Sequence, residues 1–292
     1  MNEVLLEVKD LSFAYEKNPV LKGISLVVRR GEKIAVMGSN GAGKSTFFLN
    51  LNGVLQPDQG EIFFKGKKMG KKGVTELRQK VGFVFQDADS QLIASNVRAE
   101  ISFGPMNLGL EREEVIKRVE EALTYLSLSD LQDRAPHYLS GGEKKRVSIA
   151  DILAMEPEVF LFDEPMESLD PFNAGKVEQI LCQLHKDGKT LIIATHDVDF
   201  AWRFADRVLV FCDGSLIADG MPKEIFQKEE VMERAHLKKP SVMTIWEALV
   251  KAQLVAQREE YPATEEEVAI EIAINNKQSV VDSTLQKGAS LK

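Results

Sequence analysis

Apolar and polar residues alternate along residues 4–37, with breaks at Glu16–Pro19 and Arg30-Gly31-Glu32. A period of two predicts short strands of an antiparallel subsheet. The end of this stretch, Lys33-Ile34-Ala35-Val36-Met37, is instead a continuous apolar run, and so are Val81–Phe85, Glu158-Val159-Phe160-Leu161-Phe162 and Thr190-Leu191-Ile192-Ile193-Ala194. Strands buried on both faces of a parallel sheet read this way. Gly60–Gly66 predicts a further strand between glycines, and Val208–Phe211 with Ser215–Asp219 predicts a hairpin across Cys212-Asp213-Gly214. Helical spacing appears at Val115, Val119, Ala122 and Leu126, which predicts a helix over Glu111–Leu126. Other helices are expected from Ser45, from Gly142 to Ala154, and as a crossover over Asn173–Asp187. Residues 88–157 thus form a helical insert, within which Phe103–Leu110 reads as a turn before the Glu111 helix. Beyond Pro222 the pattern degrades. Lys238-Lys239-Pro240-Ser241 breaks the chain, Thr244–Arg258 and Glu265–Ile274 predict two amphipathic helices, and Asn275–Lys292 is polar and expected to fray. The chain has no internal repeat.

The 292 residues, 44% of them hydrophobic, can bury a large core. No run approaches the roughly twenty apolar residues that span a bilayer, and the first residues lack the layout of a signal peptide. A net charge of −8 argues against a general nucleic-acid binder. Cys182 and Cys212 are expected to be two buried thiols in a reducing compartment.

Chemistry enters at Gly38-Ser39-Asn40-Gly41-Ala42-Gly43-Lys44-Ser45-Thr46, a full match to GxxxxGK[ST] between a predicted strand and a predicted helix. Gly38, Gly41 and Gly43 let the backbone curl so that successive N–H groups, from Ser39 and Asn40 through Ala42 to Thr46, point inward at phosphate oxygens. Lys44 supplies a cation for the β- and γ-phosphates, and the Ser45 hydroxyl is placed to ligate Mg²⁺. The helix behind adds its positive end. The chain therefore binds a nucleoside triphosphate. Downstream, Asp163 and Glu164 stand at the end of an apolar strand. Asp163 suits a Mg²⁺ contact through water, and Glu164 suits polarising an attacking water. In Leu139-Ser140-Gly141-Gly142-Glu143-Lys144-Lys145-Arg146-Val147, Ser140 reads as an N-cap and two glycines open a helix, giving a second anion site.

LSGG, followed by a basic helix and then a carboxylate strand, resembles the ATP-binding subunits of ABC transporters, with Glu143 where that family usually has Gln. The resemblance covers roughly residues 4–225 and implies an α/β P-loop NTPase core. That core has a parallel sheet, an antiparallel β-subdomain and a helical insert, and a small C-terminal extension follows. The implied division is an ATPase domain over 1–236 and an extension over 237–292. By the same resemblance Tyr15 stacks on adenine. Gln86 touches Mg²⁺ and the water, and senses a membrane partner. Ser168-Leu169-Asp170 is the loop that crosses to the opposite subunit, and His196 contacts the γ-phosphate. Met166 and Glu167 depart from the Asp-Glu-Pro-Thr-x-Gly-Leu-Asp pattern of many relatives. Catalysis is then expected from Glu164, His196, Gln86 and Lys44 on Mg²⁺ and ATP. Ser140, Gly141, Gly142 and Asp170 close the site from a second subunit, the same chain or a paralogue, in a head-to-tail dimer.

Gln86–Ile93, Phe103–Leu110 and His137–Val147 resemble the ATPases of energy-coupling-factor importers, most closely the cobalt/nickel type, and so does the long tail. That likeness implies an integral membrane scaffold subunit, a separate substrate-binding membrane subunit and a peripheral position on the cytoplasmic face of the membrane. It also implies a tail that helps hold the dimer. A vitamin importer is the near alternative, and a soluble non-transport ATPase or a non-catalytic assembly subunit is more remote.

Overall fold

The computed structural model describes residues 3–70, 73–256, 258 and 260–275. Its strands are β1 (Val4–Tyr15), β2 (Asn18–Arg29), β3 (Lys33–Met37), β4 (Gln59–Phe64), β5 (Lys67–Lys68), β6 (Val81–Val84), β7 (Val159–Asp163), β8 (Thr190–Ala194), β9 (Arg207–Cys212) and β10 (Ser215–Gly220). They build two sheets. An antiparallel sheet runs β2-β1-β4-β5, and a mainly parallel one runs β10-β9-β3-β8-β7-β6. The fold class expected from the sequence is the one observed. The first two strands are not short, however. Each has 12 residues, and their pairing slips register at several points along β1, so one long twisted ribbon replaces a set of short segments.

The apolar runs of the parallel sheet divide their residues between two layers. Val159 and Leu161 of β7 pack with the antiparallel sheet, whereas Phe160 and Phe162 pack among the helices of the insert. In β8, Ile192 and Leu191 divide the same way. Both faces are covered, so no polar alternation can survive in these strands.

The helices are α1 (Lys44–Leu51), α2 (Val74–Lys80), α3 (Val97–Asn107), α4 (Arg112–Tyr125), α5 (Gly141–Leu153), α6 (Pro171–Lys186), α7 (Val198–Phe204), α8 (Pro222–Phe226), α9 (Glu229–Arg234) and α10 (Ser241–Lys251), with two short 3₁₀ turns at Ser129–Leu131 and Pro136–Tyr138. The expected turn at Phe103–Leu110 is a correction, because Phe103 to Asn107 complete α3. Asn96 starts that helix by accepting the Ala99 N–H at 2.8 Å. Pro105 sits near its end, where a missing N–H costs one bond only. The helix expected over Thr244–Arg258 stops at Lys251, with Gln253 in the left-handed region (φ 59°). A further helix spans 265–275, and the expected frayed end lies outside the described residues beyond Asn275. Both cysteines are half-buried rather than buried. Among the described residues no helix is long and apolar enough to cross a membrane.

A polar cluster ties the segment after β6 to the insert. Gln91 donates from Nε2 to the Ser148 carbonyl at 2.9 Å and to Asp151 at 3.1 Å. The buried Glu100 carboxylate accepts the Ile93 and Ala94 N–H groups at 2.9 and 2.5 Å. Burial, with Glu100 as a neighbouring like charge, pushes the Asp151 carboxyl up to about 7 from its usual 3.8, against the Gln91 hydrogen bond. Because the folded-state value is the raised one, Asp151 contributes fully at acid pH, and that contribution is lost as pH rises from about 4 to about 7. The loss is about 2–4 kcal/mol, discounted from three pKa units because the residue keeps a rim of solvent. Asp151→Asn keeps an acceptor for Gln91 but cannot ionise. Urea melts of this variant should lack that decline, gaining on the parent with rising pH. Parallel curves for the two proteins between pH 4 and 8 would refute the assignment.

Candidate functional site

The parallel register lines up the ends of four strands. Val36 pairs with Ala194, and Asp163 pairs with Ala194 from the other side. The chain leaves these strands into the loop 38–43, into Glu164, into Thr195-His196 and, from β6, into Phe85-Gln86. Carboxyl ends of parallel strands are where such sheets present ligand sites. A cleft of about 920 Å³ lies there, lined by Gly38 to Thr46, Gln86, Asp163, Glu164, Glu167 and His196, and also by Val20, Val198, His236, Leu237 and Lys238.

Gly38 makes the first turn of the loop with φ 141°, and a Cβ there would lie 2.2 Å from the Phe211 carbonyl oxygen, so only glycine fits. The loop winds around its own lysine. Lys44 is 7% exposed and donates from Nζ to the Gly38 and Ser39 carbonyls at 2.7 and 3.3 Å. Burial lowers the affinity of this amine for its proton, and Glu164, Asp163 and Glu167 counter that effect by charge. A buried cation ringed by carbonyls and carboxylates is stored in place for an anion, not repelled from the site.

Asp163 and Glu164 end β7 and are both buried. Burial raises both carboxyls, opposed for Asp163 by a hydrogen bond from the Ser45 hydroxyl and for Glu164 by His196. Glu164 takes a left-handed backbone (φ 44°) while its N–H donates to the Ala194 carbonyl at 3.0 Å, a turn that swings its side chain over the cleft. Its Oε2 lies 3.0 Å from His196 Nδ1 and accepts the His196 backbone N–H at 3.3 Å. Lys145 of α5, which is 3% exposed, donates to the Phe85 and Gln86 carbonyls at 2.9 and 2.6 Å. Its ammonium is pushed down to about 8 by burial. It fastens the loop after β6 to the basic helix.

The expected residues divide into two sets. Gly38, Ser39, Asn40, Gly41, Ala42, Gly43, Lys44, Ser45, Thr46, Gln86, Asp163, Glu164 and His196 all meet in the cleft. Tyr15, Ser140, Gly141, Gly142 and Asp170 do not line it. Tyr15 is half-exposed and set edge-on to Phe13 at 4.9 Å. Ser140 caps α5 in a capping box: its N–H donates to Glu143 Oε2 at 2.7 Å, and the Glu143 N–H reaches Ser140 Oγ at 3.4 Å. A Cβ on Gly142 would lie 2.4 Å from the Asn173 side chain. Asn173 Nδ2 in turn donates to Asp170 at 2.6 Å, and Asp170 caps α6 through the Phe172 and Asn173 N–H groups. Ser140, Gly141, Gly142 and Asp170 are thus joined through α5 and Asn173 outside the cleft lining, and Tyr15 lies apart on β1.

Sequence reasoning missed Lys145, the place of Glu167 in the cleft and the wall at His236–Lys238. Charge spacing within a helix gave no sign that Lys145 turns inward. The wall sits where it does because Ser241 donates from N and Oγ to the Asp199 carboxylate at 2.6 and 3.0 Å, pinning the start of α10 beside α7.

Comparison with known proteins places residues 21–167 in the ABC transporter family. The energy-coupling factor transporter ATP-binding protein EcfA of Methanocaldococcus jannaschii is 48% identical over 250 residues, covering 85% of this chain and 90% of that protein. EcfA of Methanothermobacter thermautotrophicus is 49% identical over 239 residues, 81% of this chain and 77% of its own. Among solved structures, CbiO1 from Clostridium perfringens, described as part of the ABC transporter complex cbiONQ, superposes with a TM-score of 0.71 at 41% identity, covering 84% of this chain and 99% of that one. A dimeric ATP-binding cassette in a post-hydrolysis state with ADP and Pi superposes at 0.66 with 30% identity, covering 75% and 99%.

Lys44→Ala removes the one side-chain cation wrapped by the loop. Loss of a charge-assisted contact of about 1.5–3 kcal/mol weakens ATP binding roughly 10- to 150-fold. Titration with a fluorescent ATP analogue measures it, and an unchanged affinity would remove Lys44 from the phosphate site.

Proposed function

We propose, for a chain that belongs to the ATP-binding subunits of ABC transporters of the energy-coupling-factor type, that its hydrolysis of ATP drives the import of cobalt or nickel ions. The observation that carries the reading is the meeting of the phosphate loop, Gln86, Asp163, Glu164 and His196 in one cleft at the carboxyl ends of β3, β6, β7 and β8. Likeness to CbiO1 supports the metal-ion cargo, as do the segments Gln86–Ile93 and Phe103–Leu110. Residues 1–236 serve as the ATPase domain, and 237–292 as an extension that helps hold two subunits together.

In this reading the loop N–H groups and Lys44 bind the β- and γ-phosphates. The donor set suits Mg²⁺: a hydroxyl on Ser45 bonded to the buried Asp163 carboxylate, with the Gln86 amide nearby, offers only oxygen ligands. Ser45, Asp163 and Gln86 would hold the ion, which neutralises phosphate charge when bound. Glu164 orients the attacking water and takes its proton. Burial makes its carboxylate a stronger base than an exposed one. His196 holds that carboxylate by its ring and its backbone, and reaches the γ-phosphate. The adenine lies against Tyr15.

Ser140, Gly141, Gly142 and Asp170 do not line their own cleft, which supports a head-to-tail pair in which each chain closes the other's site. ATP then binds the closed pair better than the open one and shifts that equilibrium. An integral membrane scaffold subunit and a separate substrate-binding membrane subunit convert closure into transport at the cytoplasmic face of the membrane.

Glu164→Gln keeps the shape of the site but cannot accept the proton. The variant should bind ATP at the parental level, lose at least about 10²-fold in turnover and run as a dimer on gel filtration in ATP. Turnover within a factor of two of the parent would refute Glu164 as base. For the cargo, cells carrying this chain with its membrane partners should accumulate radiolabelled cobalt or nickel, and Lys44→Ala should abolish the uptake. Uptake of a vitamin with neither metal would overturn the assignment.

A further inference from the structure

Glu167 has no place in the reading above, yet it is on the cleft wall. The turn after β7 carries it there. The Glu167 N–H donates back to the Glu164 carbonyl at 3.2 Å, between two residues in the left-handed region, Glu164 (φ 44°) and Ser168 (φ 62°). The turn therefore sets the fifth residue of Asp163-Glu164-Pro165-Met166-Glu167, though solvent-exposed, on the wall of the cleft at the strand ends. Its Oε2 accepts a hydrogen bond from Gln86 Nε2. Both side chains line the same cleft as Lys44, Ser45 and Asp163. Glu167 is close enough to act by charge on Lys44, Lys145 and Asp163.

The chemistry of this contact has a direction. An ionised carboxylate can only accept, and of the two ends of an amide only the nitrogen can donate. The bond to Glu167 thus commits Gln86 Nε2 and leaves Oε1 as the end turned away from Glu167. The Gln86 backbone is held from the other side, because its carbonyl accepts from Lys145 at 2.6 Å. Main chain and amide nitrogen are both tied, and one oxygen is left for the cleft. Outer partners that orient a ligand in this way commonly account for 10- to 100-fold in metal affinity.

We infer that Glu167 is a positioning residue that fixes the Gln86 amide, so that Oε1 faces a divalent cation carried by the nucleotide. The inference rests on the Mg²⁺–ATP reading of the cleft. Glu167 acts through Gln86 and need not touch the ion.

The test measures metal retention rather than turnover. The full chain is saturated with a non-hydrolysable ATP analogue and titrated with Mn²⁺, free ion being read by electron paramagnetic resonance. Glu167→Ala should weaken Mn²⁺ binding about tenfold or more, whereas Glu167→Gln, whose amide oxygen still accepts from Gln86, should recover most of it. Gln86→Ala should weaken Mn²⁺ binding by itself, and adding Glu167→Ala to it should cost nothing further. Analogue binding in EDTA should be retained by the parent and by all four variants. Unchanged Mn²⁺ affinity in Glu167→Ala overturns the inference. So does an equal loss from Glu167→Ala with and without Gln86, which marks an independent charge effect, and so does loss of analogue binding in EDTA by Glu167→Ala, which marks damage to the loop. Failure of the parent to bind the analogue at all defeats the nucleotide reading itself and is told apart by that control.

Discussion

A buried ammonium sets the terms for this structure. Lys44 sits in the winding of its own loop with its charge turned on the Gly38 and Ser39 carbonyls, and an uncompensated cation there would cost several kcal/mol. Two carbonyls do not compensate a full charge. The remainder comes from Asp163, Glu164 and Glu167, none of which is near Lys44 in sequence. The parallel sheet brings them there. Its register sets Val36, Ala194 and Asp163 side by side, so the strand bearing the loop and the strand bearing the carboxylates end at one level. A slip of one residue in β7 would exchange the faces of Phe160 and Leu161 and carry Asp163 out of reach. The apolar runs that make the strands are therefore also what aligns the charges.

A second fastening works across layers. Lys145 belongs to the helix that opens with Ser140-Gly141-Gly142, yet its ammonium reaches the two carbonyls of Phe85-Gln86 at the end of β6. The same helix packs Gly142 against Asn173, which is bonded to Asp170. One rigid element thus touches the loop that carries Gln86 and the loop that ends in Asp170. The first is joined by two hydrogen bonds from Lys145, and the second through Asn173 at the start of α6.

What the sequence made legible follows the range of the interactions involved. The phosphate loop is local: nine consecutive residues carry the glycines, the cation and the hydroxyl, and the structure puts all nine in the cleft. The strands of the parallel sheet were equally clear, since burial on both faces leaves a continuous apolar run. The third helix was hidden because Gly104-Pro105 imitates a turn, although its cap, Asn96 with Glu100 behind it, was present to be read. Lys145 and Glu167 were illegible in principle. Lys145 resembles an ordinary surface charge until the fold buries it, and Glu167 until the turn after β7 places it, still exposed, on the cleft wall. The wall at His236–Lys238 depends on a hydrogen bond between residues 42 positions apart, from Ser241 to Asp199, and no spacing in the sequence encodes it.

The anion site at the start of α5 is weaker, taken alone, than its residues imply. The Glu143 carboxylate accepts both the Ser140 N–H and the Ser140 hydroxyl, each at 2.7 Å, and so removes two donors from the face that a phosphate would meet. The Gly141 and Gly142 N–H groups remain, being first-turn donors with no partner inside the helix. A carboxylate beside two backbone donors is a poor trap for a free anion, because its charge opposes the helix end. It is a reasonable surface for a phosphate already neutralised by Lys44 and a cation. In the proposed head-to-tail pair, the helix would contribute only when a second chain delivers a nucleotide whose charge has been met elsewhere. The two halves of the proposed site would then depend on each other for electrostatic as well as geometric reasons.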